Sequence, residues 1–169
     1  MEVSREELIK KFTQAIRKGN AGIFAGAGLS RASGYVDWKH LLKPLAECVK
    51  LDIEKEKDYL LVAQYCRNEL GARGSINQEI LDAFNAEVGE NENVEIIARL
   101  PISTYWTTNY DKLIEKALER QNKKVDVKMD SDQLSTTLVD RNAIVYKMHG
   151  DVDHAARAVL TKDDSILYD

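Results

Sequence analysis

Hydrophobic positions at the start of the chain recur with the spacing of an amphipathic helix. The repeat consists of Leu8, Ile9, Phe12, Ala15 and Ile16. Ser4 and Glu7 form a capping-box pair ahead of this repeat, and Gly19 with Asn20 marks its end. The short apolar run 21–25 that follows is bounded by glycines and predicts a buried strand.

From residue 38 to about residue 100 the spacing is helical throughout. Apolar stripes at 41–49, 60–70, 76–88 and 96–100 predict four helices, the third ended by Gly89 and the fourth before Pro101. Pro44 is expected in the first turn of its helix or at a kink. The charged stretches between the stripes predict exposed loops or helix ends.

Beyond residue 101 the pattern changes to strand, helix, strand and strand. β-Branched and aromatic residues predict strands at 102–108, 125–129 and 143–148, with a helix at 110–122 and a last helix that begins after Thr161. This alternation is typical of α/β proteins. We therefore predict a mostly parallel sheet flanked by helices, with a helical insert at about 38–100 between the first two strands.

Composition narrows the class of protein. A length of 169 residues fits one domain with a real core, and the net charge of −4 gives no overall basic surface for nucleic acid. No run of 18 apolar residues or apolar leader occurs, so we expect neither membrane insertion nor standard export. Cys48 and Cys66 stand outside any metal-binding cluster, which predicts no zinc module and a cytoplasmic location.

Three segments with candidate chemistry follow predicted strands directly. They are residues 26–30, residues 108–111 and the pair His149–Gly150. Ligands of parallel sheets bind beyond the carboxyl ends of the strands. We therefore expect the three segments to meet around one cleft.

The glycine segment by itself allows two interpretations. Gly26 and Gly28 would let the backbone approach a phosphate, which exposed N–H groups at a helix start can bind. However, Arg31 stands where the dinucleotide pattern GxGxxG has its third glycine, and no P-loop lysine is present. A simple strand-to-helix turn is an equally good reading of these residues alone.

The other two segments also have structural alternatives. Asn109 is a good helix N-cap, and Asp111 suits the positive end of the following helix. His149 could be a core residue or a general base, since its unperturbed pKa is about 6.5. His40 and His154 lie among polar residues and are expected at the surface, and the tryptophans are expected in packing.

Taken together, the segments resemble the sirtuin family. GAGLSRASGYVDWK is similar to the sirtuin NAD-binding signature GAGxSxxSGIPDFR without a gap, TTNYD is similar to TQNID, and MHG is similar to the sirtuin histidine–glycine pair. The order and approximate spacing of the motifs agree over residues 20–150. The resemblance implies a Rossmann-like fold that binds NAD+.

Departures from the family pattern narrow the resemblance. No cysteine lies beyond Cys66, where sirtuin deacylases usually place a four-cysteine zinc module, and a helical insert separates the first two motifs instead. These features resemble the sirtuin-like domains of bacterial anti-phage defence proteins, which hydrolyse NAD+ and deplete it in infected cells. The resemblance thus implies an NAD+ glycohydrolase that uses NAD+ as substrate and needs no metal.

The resemblance also assigns roles to individual residues. Asn109 would orient the ribose and the attacking water, His149 would act as the base, and Asp111 would hold the nicotinamide carboxamide. The backbone of residues 26–30 would hold the pyrophosphate. The complete set of expected substrate-binding residues is Ala25, Gly26, Ala27, Gly28, Ser30, Asp37, Trp38, Thr108 and Asp111.

Two other functions and a structural alternative stay open at this point. The chain could be an NAD-dependent protein deacylase or ADP-ribosyl transferase, or a non-catalytic module that senses NAD or ADP-ribose. It could also be a generic α/β domain whose motifs are caps and turns.

Sirtuin folds continue beyond the histidine with a loop for the adenosine half, so we expect residues 1–169 to be one domain at the N-terminus of a longer protein. Because a constitutive NADase would kill its host, we expect control by homo-oligomerisation, a partner ATPase or a fused C-terminal sensor.

Overall fold

The computed structural model describes residues 3–86, 88–89 and 91–166, and it has an α/β fold. Its sheet has four parallel strands in the order β1-β2-β4-β3. The strands are β1 (Ile23–Ala25), β2 (Thr104–Thr107), β3 (Val125–Lys128) and β4 (Ala143–Lys147). All four strands were predicted, each observed strand being one to three residues shorter than its prediction.

Helices fill the connections between the strands. They are α1 (Arg5–Arg17), α2 (Ala27–Arg31), α3 (Trp38–Cys48), α4 (Tyr59–Leu70), α5 (Gly74–Phe84), α6 (Glu92–Arg99), α7 (Leu113–Arg120), α8 (Ser131–Leu134) and α9 (Lys162–Ile166). Two 3₁₀ segments, Ile53–Lys55 and Val152–Arg157, complete the described elements. The predicted helical insert between the first two strands corresponds to α3–α6.

Local sequence signals explain most of the helix boundaries. The Ser4 hydroxyl accepts a hydrogen bond from the Glu7 backbone N–H, and Gly19 follows α1 with a φ of +69°. Pro44 lies in the middle of α3, beyond its first turn, and the helix continues through it. The third predicted helix is shorter than expected, since α5 ends at Phe84. Just beyond its end, the Ala86 carbonyl accepts a hydrogen bond from the Tyr35 hydroxyl.

Buried side chains form two hydrophobic cores. One core joins α3, α4 and α5 to the segment around Val152, and it includes Tyr110. The second lies between one face of the sheet and helices α6 and α7, with Tyr105 and Val145 at its centre. Leu113, at the start of α7, packs against both cores. The loop that follows β2 therefore lies at the boundary between them.

The opposite face of the sheet carries aromatic side chains. Phe24, Trp106 and Tyr146 are in register on β1, β2 and β4, and the rings of Trp106 and Tyr146 stack with their centroids 4.2 Å apart. Phe24 is 71% exposed. Within the described residues, none of the helices is both long enough and apolar enough to cross a membrane.

Candidate active site

The three chemically interesting segments meet at the carboxyl ends of β1, β2 and β4. Because these strands are parallel neighbours, the loops that follow them lie side by side. The loops surround a cavity of about 120 Å³. Its walls are formed by Ala27, Ser30, Val36, Trp38, Phe84, Thr108, Asn109, Tyr110, Asp111 and His149.

The glycine segment passes directly from β1 into α2. Gly26 is the N-cap of α2, with extended backbone, and the helix begins at Ala27. Thr108 lies close to this turn, since its backbone N–H donates to the Ala25 carbonyl at 3.3 Å. A Cβ on Gly26 would lie 3.8 Å from the Thr108 hydroxyl oxygen. The turn thus packs closely against the loop that carries Asn109.

Asn109 holds the glycine turn and does not cap a helix. Its side-chain Nδ2 donates to the Gly26 carbonyl at 3.0 Å and to the Ser30 hydroxyl at 2.7 Å. The following helix begins only at Leu113, after Lys112, so the helix-cap interpretation of Asn109 is wrong. The Asn109 amide therefore binds Gly26 and Ser30, which are distant in the chain, in place of the start of the next helix.

Asp111 continues this hydrogen-bond chain. Its Oδ2 accepts from the Ser30 hydroxyl at 2.6 Å, and its Oδ1 accepts from the Leu113 backbone N–H at 3.0 Å. The second bond agrees with the prediction that Asp111 supports the start of the helix. Asp111 is buried, and both of its carboxylate oxygens are engaged within the protein. A chain of hydrogen bonds thus runs from Asn109 through Ser30 to Asp111.

His149 faces the same cavity from the loop after β4. Its Nδ1 is buried and has no hydrogen-bond partner among the described residues. Burial lowers the pKa of His149 below its ordinary value of 6.5, so the imidazole is neutral at physiological pH. Its ring lies 5.5 Å from the indole of Trp38, centroid to centroid. A neutral imidazole in this position can accept a proton from a group in the cavity.

The backbone on both sides of His149 is held firmly. The His149 carbonyl accepts from the Val159 backbone N–H at 2.8 Å, and Gly150 has a φ of +87°. A Cβ on Gly150 would lie 3.0 Å from the Ala158 Cα, which is tighter than nine in ten real Cβ contacts. Both the backbone conformation and the space at this position therefore favour glycine.

Four predicted residues lie around the cavity without lining it: Gly26, described above, and Ala25, Gly28 and Asp37. Ala25 is buried in the sheet, and Gly28 lies within α2. The Asp37 carboxylate caps α3 by accepting from the His40 backbone N–H at 3.0 Å, and it lies 2.7 Å from the His40 ring nitrogen. Burial by itself would raise the pKa of the Asp37 carboxyl, but the bonds to His40 have the larger effect, so the net result is a lowered pKa. His40 and His154 are both exposed, as predicted.

Three cavity residues were not predicted to belong to the site. They are Val36, Phe84 and Tyr110. Phe84 continues the apolar stripe of α5 and belongs to no motif. Val36 directly precedes Asp37 within the glycine signature and Tyr110 lies within TTNYD, so these two carried a usable signal.

The described part of the chain contains no cluster of three or more His, Cys, Asp or Glu side chains arranged to hold a metal ion. Cys48 is an exposed free thiol, and Cys66 is a buried one.

Comparison with known proteins relates the chain to sirtuins. Residues 103–169 match the family model described as SIR2-like domain. The chain is 58% identical over 164 residues to a protein of Bacillus cereus strain MSX-D12 named NAD(+) hydrolase ThsA, covering 96% of the chain and 34% of that protein. A protein of the same name from Cytobacillus dafuensis is 52% identical over 168 residues, covering 99% of the chain and 34% of that protein.

The chain also matches a more distantly related protein. The chain is 28% identical over 170 residues to Defense-associated sirtuin 2 of Bacillus subtilis, covering 96% of the chain and 17% of that protein. The chain thus spans about a third of the length of the two hydrolases.

Proposed function

We propose that this chain, which carries a SIR2-like domain, hydrolyses NAD+ to nicotinamide and ADP-ribose. The observation that supports the proposal best is the meeting of Asn109, His149 and the glycine turn around one cavity. Relatives at 58% and 52% identity are named NAD(+) hydrolases, which supports the same reaction.

The chemistry of the bond explains why so few polar groups are needed. Cleavage of the bond between nicotinamide and ribose passes through an oxocarbenium-like transition state. Nicotinamide leaves as a neutral base, so no acid has to protonate it. The protein has to hold the ribose, exclude bulk water and place one water molecule.

Each site residue has a proposed role in these steps. Asn109 orients the ribose and the attacking water, while the Ser30 hydroxyl and the Gly26 carbonyl hold its amide in place. Neutral His149 takes the proton from the water or from a ribose hydroxyl. Asp111 fixes Ser30 and lies at the cavity wall, where it would meet the nicotinamide carboxamide.

The size of the cavity indicates which part of NAD+ it takes. Sites for small ligands usually measure about 300–1,000 Å³, and this cavity measures about 120 Å³. We infer that it takes the nicotinamide–ribose end, while the pyrophosphate lies against the backbone of the glycine turn outside it. The N–H groups at the start of α2 are available there for an anion.

A product assay on NAD+ without any acylated peptide tests the proposal. We expect nicotinamide and ADP-ribose from the wild type, and a loss of about 10²–10⁴-fold in rate for His149→Ala and Asn109→Ala. His154→Ala, which removes an exposed histidine, serves as the control and should keep full activity. A hydrolysis rate equal to that of the wild type in a folded His149→Ala protein would exclude a catalytic role for His149.

Other products would favour other functions. Turnover that depends on an acyl-lysine peptide would indicate a deacylase, and binding of NAD+ without turnover would indicate a sensing module.

The biological role proposed here is NAD+ depletion in anti-phage defence, acting in the cytoplasm and ending in abortive infection. The name of the Bacillus subtilis relative supports the link with defence. Since uncontrolled NAD+ loss would kill the host, we propose that activity is gated by homo-oligomerisation, a partner ATPase or a fused sensor domain. We further propose that residues 1–169 act as one domain of a longer protein, as the relatives' lengths indicate.

A further inference from the structure

We infer that Lys147 is a positioning residue, which holds the loop of Asn109 and the loop of His149 in their reactive arrangement. The inference rests on the proposed function, since it assigns a role within that same site. Lys147 is the last residue of β4, two residues before His149, and its side chain is fully buried.

The Lys147 ammonium group lies among four acceptors. It donates to the backbone carbonyls of Tyr110 and Asp111, which belong to the loop that carries Asn109. It also lies 2.8 Å from Asp151 Oδ2 and 3.1 Å from Glu115 Oε1. An ammonium has three N–H donors. Two of them donate to these carbonyls, and the two carboxylates lie within ion-pair distance, while the Glu115 oxygens have no hydrogen-bond partner among the described residues.

These acceptors come from both sides of the cavity. Asp151 lies in the loop that follows His149, while the Tyr110 and Asp111 carbonyls directly follow Asn109. Apart from Lys147, the described contacts between the two loops include a bond from the Val152 N–H to the Tyr110 carbonyl at 3.0 Å. Lys147 is therefore the charged centre on which both loops converge.

The charges favour this arrangement. Burial alone would lower the pKa of Lys147, but the carboxylates of Glu115 and Asp151 outweigh burial and raise it, so the side chain stays cationic. A neutral side chain of equal length could not draw two backbone carbonyls and a buried carboxylate to one point. An arginine would place a larger, planar group in a space that admits an ammonium.

The chain contains a matched control for this lysine. Lys128, on the neighbouring strand β3, is also buried, lies 2.8 Å from the buried Asp126 and donates to the Thr136 carbonyl at 2.9 Å. Among the described residues, its hydrogen bond and ion pair reach neither of the two loops. Lys128→Met therefore removes an ion pair of similar burial without disturbing the candidate active site.

The test compares Lys147→Met with Lys128→Met in the longest natural form of the protein that contains this chain. On protein shown to be folded at the assay temperature, we expect Lys147→Met to lower kcat for NAD+ by about 10²-fold, the effect of a misplacement near 1 Å. KM should change little, because both variants keep the glycine turn. Equal kcat values in the two variants would overturn the inference.

Amide hydrogen exchange supplies a readout that does not need activity. In Lys147→Met we expect faster exchange confined to residues 109–111 and 149–152, and in Lys128→Met no change there. Unchanged or uniformly faster exchange would overturn the inference, with or without a loss of kcat. If the wild type releases no nicotinamide, the proposed function fails, and exchange alone decides whether Lys147 links the two loops.

A second variant covers the case in which Lys147→Met does not fold. Lys147→Met combined with Asp151→Asn removes both charges of the pair with Asp151, which buried sites tolerate better than the loss of one partner. The second partner, Glu115, has its pKa raised by burial, so it can take up a proton once the lysine is gone. Asparagine keeps the oxygen that accepts from the Asp153 N–H. The same changes in kcat and exchange are expected of this double variant, and their absence would overturn the inference.

Discussion

Asn109, Ser30 and Asp111 form a buried polar chain in which each member holds the next. Asn109 donates to Ser30 at 2.7 Å and Ser30 donates to Asp111 at 2.6 Å. Buried polar groups need such partners because water cannot replace them. Among the described hydrogen bonds, the serine hydroxyl joins Asn109 to Asp111, and together with the Gly26 carbonyl it orients the Asn109 amide.

Ser30→Ala tests this role of the serine. Alanine removes two buried hydrogen bonds, one from Asn109 and one to Asp111. The loss at Asn109, about 1–1.5 kcal/mol, should lower kcat roughly tenfold by freeing its amide. Ser33→Ala is the control, because Ser33 is also buried but accepts from Asn91 outside the cavity. Steady-state kinetics on NAD+ should separate the two, and an equal loss in both would contradict the proposed role of Ser30.

The pH dependence of the reaction follows from the burial of His149. A general base works in its neutral form, so the rate falls as the pH falls through the pKa of the imidazole. Because burial lowers this pKa, the acid limb of kcat/KM should have its midpoint below 6.5. A pH series measures it, with His40→Gln as a control that should not move the limb. A midpoint at or above 6.5 would contradict a buried His149 as the base.

At the scale of elements, the turn after β4 depends on a glycine. Gly150 has a positive φ and lies against the backbone of Ala158. Strand β4 ends at Lys147, three residues before Gly150, so the turn brings His149 out of the sheet and into the cavity. A side chain at residue 150 would move this turn.

Gly150→Ala should therefore destabilise the protein more than Gly71→Ala. Gly71 ends α4 with a φ of +72° and has open space around its Cα, so alanine there costs roughly 1–2 kcal/mol for the left-handed backbone alone. At residue 150 the 3.0 Å approach to Ala158 adds to that cost. Thermal unfolding compares the two variants, and equal melting temperatures would contradict the close packing.

At the scale of the whole molecule, the cavity lies at the boundary of the two hydrophobic cores. Trp38 and Phe84 reach it from the helical insert, while Asn109 and His149 reach it from the ends of the strands. The Phe84 ring lies 5.5 Å from the ring of Tyr110, which connects the insert to the loop after β2. The insert is thus part of the site as well as part of the fold.

Phe84→Ala should for this reason affect both stability and substrate binding. Removing a buried phenylalanine costs about 3–5 kcal/mol and here also opens one wall of the cavity, so KM for NAD+ should rise. Ile80→Ala, one turn earlier in α5 and fully buried away from the cavity, should cost about 2–5 kcal/mol without changing KM. Denaturant unfolding and steady-state kinetics on both variants check this, and parallel changes in KM would contradict it.

Much of the fold could be predicted from local patterns. One apolar run and three segments rich in β-branched and aromatic residues located all four strands, and helical stripes located α3–α6 of the insert. The short helix α8 was missed because its four residues carry no stripe. A helix was expected to begin after the glycine turn, where α2 lies, but its five residues gave no bounds. The helix after β2 was predicted to start at about residue 110 but starts at Leu113. The reason is that the side chains of Asn109 and Asp111, which precede it, bond to Gly26 and Ser30.

The candidate site was predicted in part. The three segments follow strands in the sequence, and general rules for parallel sheets bring such segments together. Phe84 could not be assigned to the cavity, because an apolar side chain looks the same whether it faces a core or a cleft. Tyr110 was not assigned either, although it lies within the segment 108–111. Lys147 was not predicted to belong to the site, and the four oxygens around its ammonium lie between 4 and 37 residues away in the chain.

The sequence by itself determined the four strands, most of the helices, the cap of α1 at Ser4 and a motif order that resembles that of sirtuins. These depend on residue spacing and on short-range bonds, which the chain order contains. Only the tertiary structure decided that Asn109 binds the glycine turn instead of capping a helix, and that Lys147 holds two loops together. The physical reason is that a buried polar group bonds to whichever partner the fold brings near it, and that partner can lie anywhere in the chain.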